Sequence, residues 1–323
     1  MNKILITGGG GFIGSYLAND LSNNFEVTIV DNFIRGDETR LNNKIKKISA
    51  DLTNINDFKK LDNHYDWIFH LAAVNGTDNF YDINETVFNV GIKSILNIYD
   101  FFGNKDISLI IASSAEVYQT PISIPTPEEE PLKIPDVKNP RYSYGGSKIF
   151  SELVAFNYNN KAFKKVLIFR PHNIYGPNMG FKHVIPQLIL KINNAITKNI
   201  NHITLIGSGN ETRAFCYVLD VVSGLKILMQ YGDDHEIYHI GNSYEEIKIF
   251  DLAHLIINNL DQNIQVKPGE DLHKGGTNRR CPNVNKIASL GYKPKYNLKK
   301  GLNETIKWYI DNIDYSENRR SIE

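Results

Sequence analysis

Apolar residues recur along this chain in short runs separated by polar, helix-compatible stretches. The first run, Ile4-Leu5-Ile6, leads directly into Thr7-Gly-Gly-Gly-Gly-Phe-Ile-Gly14. Comparable runs predict strands over 3–7, 26–30, 45–49, 67–71, 107–112 and 166–170, with helices between most of them. Such alternation folds as α/β: a Rossmann-type, doubly wound parallel sheet with helices on both faces. Between Thr120 and Pro140 the pattern stops, with prolines at 121, 125, 127, 131, 135 and 140 beside the acidic run Glu128 to Glu130. Proline lacks the backbone donor that a helix or central strand needs, so this segment reads as a long ordered loop with its acids on a solvated face. From about residue 172 the alternation loosens into helices near 184–196, 219–231, 249–260 and 299–312 and a short strand at 203–206. The predicted organisation is a dinucleotide-binding domain over 1–171, joined by parts of 205–245, and a smaller C-terminal substrate lobe over 172–323.

Composition narrows the class. Lys+Arg and Asp+Glu each number 36 in 323 residues, so no net charge draws the chain to nucleic acid or to a membrane surface. No apolar stretch approaches the length of a membrane span. The first strand begins at Lys3, leaving no length for a signal peptide, and the expected location is the cytoplasm. Cys216 and Cys281 have no metal-ligand spacing and read as reduced thiols, so no metal site is expected.

The glycine-rich turn is where chemistry enters. It parses as GxxGxxG on Gly8, Gly11 and Gly14, or as GxGxxG starting at Gly9. Either way, a strand, a tight turn and a helix starting near Phe12 aim free backbone N–H groups at a pyrophosphate. Asp31 follows the second strand, 17 residues after Gly14. A carboxylate there accepts hydrogen bonds from the adenosine ribose and repels a 2′-phosphate, which favours NAD over NADP despite Arg35 nearby.

Tyr144 and Lys148 are four residues apart, hence one turn apart on one helix face. A free phenol titrates near ~10, and bringing it to ~7 takes roughly 4 kcal/mol of differential stabilisation, within reach of two close positive charges. Such a phenolate accepts a proton from a sugar hydroxyl as hydride departs. Ser113 and Ser114 stand at the carboxyl end of the 107–112 strand, where a hydroxyl can hold the reacting oxygen or only cap the turn.

Taken together, Thr7 to Gly14, Asp31-Asn32, Asp51-Leu52, His70-Leu-Ala-Ala73, Ser113-Ser-Ala-Glu-Val-Tyr118, Tyr144 to Lys148, Arg170 to Pro177 and Gly275 to Pro282 resemble, in order, the extended short-chain dehydrogenase/reductase family. These are NAD-dependent nucleotide-sugar epimerases, dehydratases and decarboxylases. The resemblance implies cofactor contacts from Gly8, Gly11, Phe12, Ile13, Gly14, Asp31 and Asn32. It puts Asp51 and Leu52 beside the adenine, and Leu71, Ala72 and Ala73 along the ribose and phosphates. Tyr144 is then the base, Lys148 its partner, both also touching cofactor, and Ser114 the catalytic serine. Asn173, Arg213 and Arg280 are implied to bind the substrate's phosphates, a role suited to the planar arginine fork. The helices near 84–102 and 144–158 correspond to those that join two subunits in relatives, implying a homodimer.

Two departures bear on the reaction. Hexose 4,6-dehydratases carry an Asp-Glu pair where this chain has Ala115-Glu116, whereas uronate decarboxylases have a small residue before the glutamate. Glu116 reads either as a base for a carbon-bound proton or as a polar wall. Relatives place an asparagine three residues before Gly91; here that position is Phe88, followed by Asn89. His172 reads as packing beneath Arg170. The resulting expectation is oxidation at C4 of a GDP- or UDP-linked sugar in surface-polysaccharide (capsule) synthesis, as a 4-dehydrogenase, with a GDP-heptose one candidate substrate, or as a 4-epimerase. A decarboxylase or dehydratase is the alternative, and a non-catalytic NAD-sensing regulator is the competing class.

Overall fold

The computed structural model describes residues 2–103, 105–159, 161–269 and 277–315. Gly275 and Gly276 of the last motif lie outside the described residues. Six strands, β1 (Lys3–Thr7), β2 (Glu26–Asp31), β3 (Lys46–Ser49), β4 (Trp67–His70), β5 (Ser108–Ala112) and β6 (Lys165–Pro171), fall where the apolar runs predict them. They form one parallel sheet whose seventh member, Glu236–Ile240, pairs with β6 at the edge. The order is 236–240, β6, β5, β4, β1, β2, β3. The chain therefore winds outward in one direction from β1 to β3 and in the other from β4 onward. Between β1 and β4 the loops part, opening the crevice in which α/β sheets bind ligands.

The period of two in β1 sends Ile4 and Ile6 to one face and Leu5 to the other. The first face packs on helix α1 (Phe12–Leu21) and the helix Val218–Tyr231. The second packs on helices α3 (Asn84–Phe102) and α4 (Ser143–Asn157). Between β4 and α3 lies a short helix, α2 (Thr77–Asp82), which hydrophobic periodicity does not reveal. The C-terminal lobe has its own core, built from the helices Val184–Thr197, Ile249–Asn259 and Leu298–Asp311. A three-stranded sheet, with Thr212–Ala214 between Glu246–Lys248 and Arg279–Arg280, brings Arg213 and Arg280 side by side.

One expectation is corrected here. Only Glu129 of the acidic run is exposed; Glu128 and Glu130 are buried. Glu128 accepts the His239 backbone N–H at 2.9 Å, and Glu130 accepts that of Ile122 at 2.6 Å. Buried backbone donors need partners: Glu130 serves one within the loop itself, and Glu128 serves one on the edge strand Glu236–Ile240.

Candidate active site

The glycine turn is shaped by contact with β4. Gly8 has φ +67, and a Cβ there would stand 2.8 Å from the backbone of Ala72. A Cβ on Gly14 would come 2.3 Å from the Gly8 carbonyl, so helix and turn touch backbone to backbone. Gly8 is thus the left-handed glycine of the turn, and α1 starts at Phe12 without a side-chain cap. Asp31 reaches back to the same turn: its carboxylate accepts from Gly10 N at 3.0 Å and Phe33 N at 2.9 Å. Burial lifts its pKa, and those N–H groups partly offset the rise. Thr7 Oγ1 meets His70 Nδ1 at 2.8 Å and accepts from Ala72 N at 3.3 Å, fixing Leu71 to Ala73 beside the turn.

The other cofactor candidates lie around this cleft. Phe12 and Ile13 are half-buried at the start of α1, and Asn32 closes a turn onto Ile34 N at 3.1 Å. Asp51 is exposed and holds Thr53, while Leu52 is buried and its carbonyl accepts from Asn97 at 2.8 Å. Ala73 packs with Phe80, Val87 and Tyr144.

Across the cleft the chemical residues converge. Ser114 follows β5, and its hydroxyl lies by the Tyr144 phenol and works to lower the phenol's pKa. It also accepts from Glu116 N at 3.1 Å, capping a single turn. Ser113 faces the other way and donates to Glu152, which pairs with Arg170 below the site. Lys148 donates to the Ala112 carbonyl at 2.8 Å, with its ammonium 5.7 Å from the Tyr144 ring centroid. Burial draws the Lys148 pKa down to about 8, against a weaker upward pull from Glu152. Burial also raises the Tyr144 phenol well above its ordinary value; the bond from Ser114 works against this. The chain's own groups therefore keep the phenol protonated, and an added positive charge in the cleft would favour its ionisation.

Glu116 points toward three arginines. Its Oε1 accepts from Arg280 Nη1 at 2.6 Å, and its Oε2 lies 3.8 Å from Arg141 Nη2. Burial pushes this carboxyl up, but Arg280, with Arg141 and Arg213 beyond it, overrides that and holds it below the usual range. Arg213 donates to the carbonyls of Thr212 and Thr277, each at 2.7 Å. Burial beside Arg280 lowers its pKa to about 10. The amide of Asn173 donates to the Ala214 carbonyl at 3.0 Å and the Arg280 carbonyl at 3.5 Å, tying the arginine strands to β6.

Two neighbours escape sequence reasoning. The Phe80 ring stacks on Tyr144 with centroids 5.1 Å apart and planes 8° from parallel. Arg141 joins Glu116 from the turn just before α4. Neither belongs to a spaced motif, so only the folded arrangement reveals them. Among the described residues no group of His, Cys, Asp and Glu could hold a metal ion, and no helix is long and apolar enough to cross a membrane.

Residues 4–241 match the NAD dependent epimerase/dehydratase family. The chain belongs to that family. It is 30% identical over 321 residues to a putative UDP-glucose 4-epimerase of Methanocaldococcus jannaschii, covering 96% of this chain and 99% of that protein. It is 32% identical over 327 residues to a UDP-N-acetyl-alpha-D-glucosaminuronate decarboxylase of Bacillus cytotoxicus, covering 95% and 97%. Among solved structures it resembles a double mutant of the dTDP-glucose 4,6-dehydratase of Streptomyces venezuelae with NAD bound. That match has a TM-score of 0.83 and 25% identity, covering 98% of this chain and 99% of the other. As a member of this nucleotide-sugar enzyme family the chain uses NAD. The cleft fits that cofactor: Gly8 and Gly14 leave no room for side chains at the turn, and the Asp31 carboxylate at the end of β2 reaches back to it.

Proposed function

We propose that this protein oxidises C4 of a nucleoside-diphosphate sugar, releasing the 4-keto sugar or returning the hydride to give the 4-epimer. The observation that carries the reading is the convergence of Ser114, Tyr144 and Lys148 on one cleft wall, with Lys148 one helical turn from Tyr144 and its ammonium 5.7 Å from the phenol ring. When bound, NAD supplies the hydride acceptor. Tyr144 Oη accepts the proton of the C4 hydroxyl, and Ser114 Oγ holds the oxygen that becomes the carbonyl. Lys148 lends the positive charge that favours the phenolate. Arg213 and Arg280, with Asn173 bracing their strands, face the diphosphate. Gly8, Gly11, Phe12, Ile13, Gly14, Asp31, Asn32, Asp51, Leu52, Leu71, Ala72 and Ala73 hold the cofactor within residues 1–171, and the remaining lobe holds the sugar nucleotide, GDP- or UDP-linked. We place the reaction in the cytoplasm, in surface-polysaccharide synthesis, with α3 and α4 joining two copies; Phe88 and Leu153 stand exposed on those helices.

One further outcome is favoured by a specific arrangement. Arg280 and Arg141 beside Glu116 form a cationic wall suited to a substrate carboxylate. A 4-keto-6-carboxylate is a β-keto acid, which loses carbon dioxide readily, and the Bacillus cytotoxicus relative is a decarboxylase by name.

Mass spectrometry after incubating the NAD-loaded protein with UDP-, GDP- and dTDP-sugars in deuterated water tests both. Loss of two hydrogens with NADH accumulating marks a 4-dehydrogenase, and unchanged mass at a new retention time a 4-epimerase. Loss of carbon dioxide marks the second reading. Retained turnover in Tyr144→Phe, in place of a drop of at least about 100-fold, would sink the assignment of the base.

A further inference from the structure

Behind the Glu116–Arg280 pair lies a cavity of about 10 Å³, lined by Ala115, Gln119, His172 and Arg280 among others. A space of that size, with polar side chains on its lining, accommodates one water molecule. Among the described residues, Gln119 Oε1, Arg280 Nε and both ring nitrogens of His172 are buried without a hydrogen-bond partner. All three residues line this one cavity. Leaving a buried polar atom unpaired is costly, so three such residues on one void point to a shared partner.

A single water suits three of these four atoms, one on each residue. His172 is 2% exposed. Burial, with His239, Arg280 and Arg170 close by, holds its pKa well below the ordinary value and keeps the ring neutral, with one N–H and one lone pair. One water accepts from Arg280 Nε–H and donates its two hydrogens to Gln119 Oε1 and to the free His172 nitrogen. Gln119 is itself immobilised, because its Nε2 donates to the Glu116 carbonyl at 2.5 Å and its own carbonyl accepts from Thr277 Oγ1 at 3.0 Å. The other edge of the guanidinium is also held: Nη1 donates to Glu116 and Nη2 to Thr277 Oγ1 at 3.1 Å.

We propose that His172 is a positioning residue which, through one buried water shared with Gln119, fixes the plane of the Arg280 guanidinium against Glu116. With Nε tied, the guanidinium is held at three points and cannot turn about its own axis. His172 touches neither substrate nor cofactor in this role; it acts through Arg280. The effect on ligand affinity rests on the proposal that Arg280 faces the nucleotide.

Two measurements test this. The first is a high-resolution crystal structure of the NAD-loaded wild-type protein. An ordered water within hydrogen-bond distance of Arg280 Nε, Gln119 Oε1 and a His172 nitrogen is expected, and a dry cavity overturns the proposal. The second is calorimetric binding of UDP and GDP to the NAD-loaded protein and its variants. His172→Leu should weaken the better-bound nucleotide on the order of ten-fold, as loss of a bond to a charged group does, and His172→Gln should restore most of it. In an Arg280→Lys background His172→Leu should cost nothing further; two independent, additive losses would mean that His172 merely fills space. If neither nucleotide binds the wild type, the functional reading fails, while the crystallographic water still decides the role of His172.

Discussion

Glu116 and Arg280 meet at 2.6 Å across 164 residues of chain, joining the turn after β5 to the last strand of the C-terminal lobe. The pair ties the sheet's β5 turn to the C-terminal lobe. It is mostly buried, with 18% of the glutamate side chain and 14% of the arginine side chain exposed.

Removing one partner of a mostly buried pair strands the other charge. Glu116→Ala should therefore lower the unfolding free energy by about 2 kcal/mol in urea titrations, less than a fully buried pair would lose because some solvent reaches this one. Glu116→Gln, which still accepts from Arg280, should lose less. The folded carboxyl lies below its ordinary value of 4.5, so its stabilisation is complete above that pH and fades as pH falls through the folded pKa. The gap between wild type and Glu116→Gln should close over that acidic range; a constant gap would show that the charge contributes nothing.

Lys148 gives the same pH slope on the alkaline side, but from a charge that costs stability where that of Glu116 adds it. Its pKa falls from 10.5 in the ordinary state to about 8 in the fold. Below about 8 both states carry the proton and the fold bears the full cost of a buried ammonium. Between those values the native lysine sheds its proton first, so stability rises with pH. Relative to wild type, Lys148→Met should be more stable at pH 7, and its advantage should shrink by up to about 1.4 kcal/mol per pH unit above 8. Thermal melts from pH 7 to 9.5 measure this, and an advantage that grows with pH would refute it.

At Gly8 a side chain meets two penalties at once, a left-handed backbone and a Cβ 2.8 Å from Ala72. Gly8→Ala should destabilise the protein by about 1–3 kcal/mol. It should also abolish detectable NAD binding by fluorescence titration, because the turn must move off β4. NAD affinity within two-fold of wild type would show that the cradle tolerates that movement.

Asp31 sets the cofactor preference if its carboxylate faces the ribose. Gly10 N and Phe33 N donate to different oxygens of the carboxylate, so Asp31→Asn keeps an acceptor for one of them and removes the charge that repels a 2′-phosphate. Calorimetry should show NADP affinity rising at least about ten-fold relative to NAD. An unchanged ratio would place the discrimination elsewhere, with Arg35 the first residue to examine.

Much of this was readable from the chain because it depends on neighbours in sequence. Strand periodicity, the glycine turn and the one-turn spacing of Tyr144 and Lys148 are local patterns. They sufficed for the parallel sheet and, through the resemblance they carry, for the family. The edge strand Glu236–Ile240 was not predicted as a strand, since five residues of mixed polarity acquire a partner only when β6 is already in place. The buried Glu128 and Glu130 were misread for the same reason: acidity predicts exposure until distant backbone donors claim the oxygens.

The sites decided by tertiary structure are those where partners lie far apart in the chain. Nothing near Glu116 in sequence names Arg280 or Arg141, nothing near Tyr144 names Phe80, and nothing near His172 names Gln119. Local patterning chooses the elements, because helix and strand periods are properties of adjacent residues. The charge on Glu116 and the pKa values of Tyr144 and Lys148 depend on burial and on what packs opposite, and those exist only once the sheet and the C-terminal lobe have closed on each other.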